Sequence, residues 1–243
     1  MSAPFFVVAA DRLVVGSVTL DGAEGRHAAT VTRLRVGEPI TLTDGAGRRG
    51  DGVVAEVGRD LLSVDVRSMV DEPQPQPRLV VVQALPKGDR GEVAVETLTE
   101  VGVDVVVPWA ASRCVTRWRD VRGRKALDRW RTTALAAAKQ SRRSRFPQVT
   151  EPATTAEVAA LLTAAAAGVV LHEEGDASLT RLDPPVAGDV VVIVGPEGGI
   201  SPEELTSFQA AGATAYRLGD TVLRTSTAGT AALVVIQSRT RWR

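Results

Sequence analysis

The 243-residue sequence predicts an α/β protein in two parts, a small β-barrel followed by a parallel sheet with helices packed on it. Three observations predict this. The segment Asp71-Glu72-Pro73-Gln74-Pro75-Gln76-Pro77 splits the chain, because alternating prolines cannot donate ladder hydrogen bonds and hold an extended spacer. Before it, short β-rich runs are punctuated by turn signals. After it, strand-like and helix-like stretches alternate, the pattern of a parallel sheet with right-handed crossovers. The boundaries follow: a β-barrel domain over 1–72, a linker over 73–78 and an α/β domain over 79–243.

In the first part, β-runs fall at Phe5 to Ala9, Ile40 to Thr43, Gly52 to Val57 and Leu61 to Val66. Asp44-Gly45 and Gly58-Arg59-Asp60 supply the turns, and a short helix is expected near Ala23 to Arg33. His27 reads as a cap or surface residue.

In the second part, Leu79 to Leu85 is a strand and Pro86-Lys87-Gly88-Asp89 a loop. A helix with Ala94, Leu98 and Val101 on one stripe ends at Gly102, and Asp104 to Pro108 completes a βαβ unit. A helix with Leu127, Trp130, Ala134 and Ala138 facing inward stops before Pro147. Another, with Val158, Leu161, Leu162 and Ala165, leads through Gly168 to the strand Val169-Val170-Leu171 and the turn His172-Glu173-Glu174-Gly175. Val191 to Val194 suits a strand buried on both faces. The turn Gly195-Pro196-Glu197-Gly198-Gly199 follows, then Ser201 as N-cap, Pro202 at the first helical position and Glu204 at capping-box spacing. The helix runs to Ala211, and a short strand spans Ala213 to Leu218. The last helix, about Thr227 to Arg239, is apolar nearly all round and is expected to be buried on several sides, within the fold or at a subunit contact.

Composition narrows the function. No run of 18 apolar residues exists, so no membrane-spanning helix is expected. The N-terminus lacks a basic region and reaches Asp11 and Arg12 too soon for a signal peptide, and the single Cys114 fits a reducing cytoplasm. His27 and His172 lie too far apart in sequence to suggest a zinc site without carboxylate help, so no metal is expected. Net charge is zero, but Arg113 to Arg145 holds twelve Lys or Arg against Asp120 and Asp128, leaving the rest of the chain at −10. Charge segregated this way points to a polyanion-binding face on an acidic body.

GPEGGIS is neither a P-loop nor a GxGxxG fingerprint, and no GxSxG elbow exists. What remains is a glycine-lined pocket at strand ends beside a basic surface. Such strand ends are where open α/β sheets bind small ligands.

The series LPKGDR (85–90), TEVGVDVVVP (99–108), AAKQSRRSRFP (137–147), LHEEG (171–175), GPEGGIS (195–201) and LGDTVLRTSTAGTAAL (218–233) resembles the bacterial 16S ribosomal RNA uracil-N3 methyltransferases. These belong to the SPOUT, trefoil-knotted class, and the resemblance runs from end to end. It implies a PUA-like RNA-binding barrel, a SPOUT domain with a deep trefoil knot, a homodimer and S-adenosylmethionine as cofactor. The implied cofactor residues are Leu171, His172 and Glu173 in one loop, and Gly195, Pro196, Glu197, Gly199 and Ile200 in the next. In the third loop they are Leu218, Gly219, Leu223, Arg224, Thr225, Thr227 and Ala228. Arg224 is the implied stabiliser of charge on the uracil, and Glu173, Glu197 and Asp220 are candidate bases. RNA phosphates would meet Arg26, Arg33, Arg35, Arg113, Lys139, Gln140, Arg142, Arg143 and Arg145. Two other functions compete: a SPOUT ribose 2′-O-methyltransferase and a non-catalytic rRNA-binding assembly factor.

Overall fold

Alternating burial builds the first sheet. Its strands are β1 (Phe5–Val7), β2 (Gly16–Leu20), β3 (Pro39–Thr43), β4 (Arg48–Gly58) and β5 (Leu61–Asp71), in the order β1-β3-β4-β5-β2. β1 lies parallel to β3 and the other pairs are antiparallel. In β5, Leu62, Val64 and Val66 point into a core shared with Val18, Leu20, Ile40 and Leu42, while the residues between them face outward. A register shift sits at Asp51/Gly52, where a Cβ on Gly52 would lie 2.3 Å from the Asp65 carbonyl; only glycine passes there. The helix expected near Ala23 to Arg33 is α1 (Gly22–Arg26) continued by a π-helical turn over His27–Val31. Strand β2 escaped the sequence reading, and β5 takes the first residue of the proline segment.

The computed structural model describes residues 3–242, which form two units. One contains the chain up to Gln74 together with Ala138–Phe146; the other contains Pro75–Ala137 and the chain from Pro147 onward. The sequence assigns 138–146 to the second domain, and here the structure differs. The β3–β4 turn leaves backbone groups needing partners, and this distant segment supplies them. The Ser144 carbonyl accepts from the Thr43 hydroxyl at 3.1 Å and from the Gly47 N–H at 2.9 Å, and the Phe146 N–H donates to the Gly45 carbonyl at 2.8 Å. Local periodicity carries no sign of such pairings.

The second unit opens with β6 (Arg78–Ala84), α2 (Arg90–Glu100), β7 (Val105–Trp109) and α3 (Asp120–Gln140), whose last residues belong to the first unit. It continues with β8 (Gln148–Val149), α4 (Thr155–Ala164), β9 (Ala167–Leu171), β10 (Ala177–Ser178), β11 (Asp189–Val194), α5 (Pro202–Ala210), β12 (Ala213–Arg217) and α6 (Thr225–Gln237). The sheet is seven-stranded and parallel throughout, in the order β10-β12-β9-β11-β6-β7-β8. Leu79 to Val82 and Val190 to Ile193 are all buried, as continuous β-branched runs in a doubly covered sheet should be. Helix α6 packs on α2, β6 and β11, while α4 packs on α5 and β11. Chain order reverses at β11, which inserts between β6 and β9 and brings the ends of β9, β11 and β12 together.

Two expectations about the helices need correction. α6 starts at Thr225 rather than Thr227; it is buried on several sides as expected, with Val234 exposed on its outer face. Leu161 on α4 is also exposed, the buried stripe being Val158 and Leu162.

Candidate functional site

Three loops leave the carboxyl ends of β9, β11 and β12 and enclose a cavity of about 830 Å³. The first, from Leu171 to Glu174, is held by the His172 N–H donating to the Tyr216 carbonyl at 2.9 Å. His172 Nδ1 accepts from the Glu174 N–H at 3.2 Å, which occupies that ring nitrogen inside the turn. The second, Gly195 to Ile200, is bare backbone by necessity. A Cβ on Gly195 would sit 2.8 Å from Ile200 Cγ1, and Gly199 has φ +74°, where side chains are strained. Ser201 caps α5 with both bonds of the expected box: its hydroxyl accepts from the Glu204 N–H, and Glu204 accepts from the Ser201 N–H. The third loop, Leu218 to Leu223, leads to Thr225 and Ala228 at the start of α6.

Side chains from outside the loops fasten the second one. The Thr225 hydroxyl donates to the Gly195 carbonyl at 2.8 Å. Glu197 Oε1 accepts from the Lys87 N–H at 3.2 Å and from the Arg90 guanidinium at 3.0 Å. Partial burial opposes ionisation of Glu197, but the hydrogen bonds from its own N–H, Lys87 and Arg90 outweigh it and hold the carboxyl below its usual range. Arg113 Nη1 donates to the carbonyls of Gly198 and Ile200 at 3.2 and 3.4 Å. The buried Glu204 accepts from the Ser112 N–H at 2.7 Å and the Thr155 hydroxyl at 3.2 Å, tying α5 to the chain after β7. The sequence gives Arg113 only as an RNA contact, Glu204 only as a capping partner and Arg90 only as part of the LPKGDR motif; none of them reads as a fastener.

Thirteen of the fifteen expected cofactor residues line this cavity, from Leu171, His172 and Glu173 through the second loop to Leu218, Gly219, Leu223, Thr225 and Ala228. Arg224 and Thr227 do not. Arg224 is the N-cap of α6, its carbonyl accepting from the Thr227 and Ala228 N–H groups at 2.9 Å. Its side chain is exposed and makes no ion pair among the described residues. Glu173 and Asp220 line the cavity, both exposed and with no side-chain hydrogen bond among the described residues. Glu197 is the exception among the candidate bases, because its carboxylate is already engaged. Cys114 is buried, and burial pushes its thiol up, so it is no nucleophile.

The basic residues divide as well. Arg26, Arg33 and Arg35 are exposed in the first unit, with no ion pair among the described residues, and Gln140 and Arg142 are exposed there too. Lys139 instead pairs with Glu24, and Arg145 donates to the Glu72 carbonyl at 2.8 Å while a Cβ at Gly47 would collide with its guanidinium. With Arg113 on the glycine turn, at least three of the nine expected phosphate contacts are engaged inside the protein, and Arg142 and Arg143 have partners there too. No helix among the described residues is long and apolar enough to cross a membrane.

Residues 72–237 match the model of an RNA methyltransferase domain, and residues 20–67 match an RNA methyltransferase PUA domain. The chain is 46% identical to the ribosomal RNA small subunit methyltransferase E of Mycobacterium bovis over 92% of its own length and 87% of that protein's. It is 27% identical to the Bacillus subtilis protein of that name, over 91% and 90%. The Neisseria gonorrhoeae ribosomal RNA small subunit methyltransferase E, solved bound to S-adenosyl methionine, is similar at TM-score 0.84 and 27% identity, over 98% of both chains. A Legionella pneumophila methyltransferase solved with SAM is similar at TM-score 0.86 and 26% identity, over 99% of both.

Proposed function

The chain belongs to the RNA methyltransferase family whose domain model it matches, and from that membership we propose that it methylates N3 of a uridine in the 16S RNA of the small ribosomal subunit, using S-adenosylmethionine. The observation that carries this reading is the cavity at the ends of β9, β11 and β12. Its bare glycine wall fits a flat nucleoside donor, and about 830 Å³ is at the large end for one ligand, with room for a flipped base beside it. The knot that the sequence resemblance implies belongs to the same proposal.

When bound, S-adenosylmethionine supplies a methyl group already activated on a sulfonium. The protein must then align it with N3 and remove the N3 proton, which is present at neutral pH. Glu197 is a poor base, since Arg90 and the Lys87 N–H stabilise its charged form. Glu173, Glu174 and Asp220 are carboxylates at the cavity with no side-chain hydrogen bond among the described residues, and Glu173 or Asp220 accepts the proton on a carboxylate oxygen. Arg224, at the N-terminus of α6, stabilises the negative charge that spreads to the uracil oxygens, helped by the positive end of the helix dipole.

Arg26, Arg33 and Arg35, with Gln140, Arg142 and Arg143, contact RNA phosphates. A second copy of the chain covers the open face of α6 around Val234 in a homodimer, and the protein works in the cytoplasm, where small subunits are made. The test is incubation with S-adenosylmethionine and small subunits from a strain lacking the enzyme, followed by nucleoside mass spectrometry. Appearance of 3-methyluridine is expected; a 2′-O-methylated nucleoside, or no new methyl group with subunits still bound, overturns the proposal.

A further inference from the structure

A run of valines at the carboxyl end of β6 is broken by one polar residue, Gln83, which is fully buried and lies behind the cavity wall, outside it. Its side-chain nitrogen donates to the Thr225 hydroxyl at 2.9 Å and to the Ala84 carbonyl at 3.2 Å. The Thr225 hydroxyl then donates to the Gly195 carbonyl at 2.8 Å. The direction of this chain is fixed by chemistry. An amide nitrogen only donates and a carbonyl only accepts, so the threonine proton must point at Gly195. Turning the amide over would set its oxygen against the Ala84 carbonyl, acceptor to acceptor.

The arrangement has a cost. Gln83 Oε1 is buried with no hydrogen-bond partner among the described residues, and a glutamine placed for stability alone would not leave it so. What the donor end holds explains the choice. Gly195 has no side chain and Pro196 no N–H, so the peptide between them has few ways to be fixed, and Thr225 holds its carbonyl. That carbonyl starts the turn from Gly195 to Ile200, and Thr225 starts α6; the two segments flank one cavity.

We propose that Gln83 is a positioning residue for methyl transfer: by orienting the Thr225 hydroxyl toward Gly195 it sets the glycine turn and the start of α6 in the one arrangement that receives the methyl donor. This rests on the cofactor reading of the cavity. A purely structural glutamine would make stability and activity fall together. A positioning glutamine with an unpartnered oxygen separates them.

The first variant is Gln83→Met, which keeps the volume and removes both the donor and the orphaned acceptor. Its urea midpoint should equal or exceed that of the wild type, while S-adenosylmethionine affinity by calorimetry falls about tenfold and single-turnover methyl transfer falls at least as much, the loss expected for one well-placed hydrogen bond. Gln83→Glu supplies a pH signature. Its carboxylate accepts from Thr225 and draws the proton away from Gly195; protonation at lower pH restores a donor, so affinity should recover as pH falls, unlike the wild type. Thr225→Val, which removes the hydroxyl, should lose affinity, and Thr225→Ser, which keeps it, should lose much less. Gln83→Met with wild-type affinity and rate overturns the proposal, and so does a Gln83→Met whose affinity loss matches its loss of stability. Wild-type protein that binds no S-adenosylmethionine overturns the cofactor reading itself, a result read from the wild type alone.

Discussion

The two ends of the parallel sheet use polar residues in opposite ways. At the amino ends, charges satisfy one another. Arg78 and Asp189, the first residues of the neighbouring β6 and β11, form a two-pronged pair at 2.8 and 2.7 Å. Asp104, just before β7, accepts from the Leu79 N–H at 2.8 Å and from Arg241, whose guanidinium also donates to the carbonyls of Pro75, Pro77 and Gly102. The Asp104 and Arg241 side chains are 5% and 10% exposed, so this pair has little left to offer a ligand. At the carboxyl ends, Thr225, Glu197, Arg90 and Arg113 are spent on fixing backbone, and the fixed backbone stays open to the cavity. One sheet thus carries an end whose charges pair with one another and an end whose polar groups shape a cavity.

That division is easiest to break at the amino end. Arg241→Ala removes the charged partner of the buried Asp104 carboxylate and should cost about 3–5 kcal/mol in urea unfolding, with S-adenosylmethionine affinity of the surviving folded protein unchanged. Replacing Asp104 and Arg241 together by Leu and Met should recover most of the loss, because the pair itself adds little over apolar packing.

The converse at the shaped end is Gly195→Val. Its side chain would meet Ile200, and calorimetry should find affinity reduced by about 100-fold or more, with a stability loss of only about 1–3 kcal/mol.

A smaller effect comes from pH. The Glu197 carboxyl is held below its usual range, so the ion pair with Arg90 is fully present above the ordinary carboxylate value of about 4.3 and is lost only as pH falls through the lower folded value. Wild-type affinity should therefore hold from pH 7 to about 4.5, and Glu197→Gln should be weaker by a few-fold across that whole range. If both proteins titrate together, the fastening is not what the loop needs.

The smallest effect extends the comparison to the first unit. Arg33→Ala and Arg35→Ala should each lower the salt slope of RNA binding by about one, whereas Lys139→Met, which breaks the pair with Glu24, should lower stability and leave the slope alone.

How much of this was legible in the sequence follows the same line. β6 and β11 were plain because four-residue β-branched runs have few alternatives, and Ser201 with Glu204 announced the start of α5 in both of its bonds. The three cavity loops were found from their motifs. β8 and β10, two residues each, have no periodicity of their own and exist because a neighbouring strand offers an edge. Gln83 was passed over inside a valine run, though a polar residue in a buried strand is itself a signal. Arg145 reads as a charge for RNA and Arg241 carries no signal of its role, because a sequence gives the sign of a charge and not its partner.

The segment 138–146 has a consequence in time. A ribosome making this chain releases the barrel strands first, but Ser144, which answers Thr43 and Gly47, is translated about 70 residues after Gln74. At roughly 5–20 residues per second that is a wait of several seconds, during which the Gly47 N–H in the turn after β3 lacks the partner that Ser144 brings. The first domain to be born is therefore finished only after the opening strands and helices of the second have been made, and a fragment ending at the proline segment is an incomplete barrel.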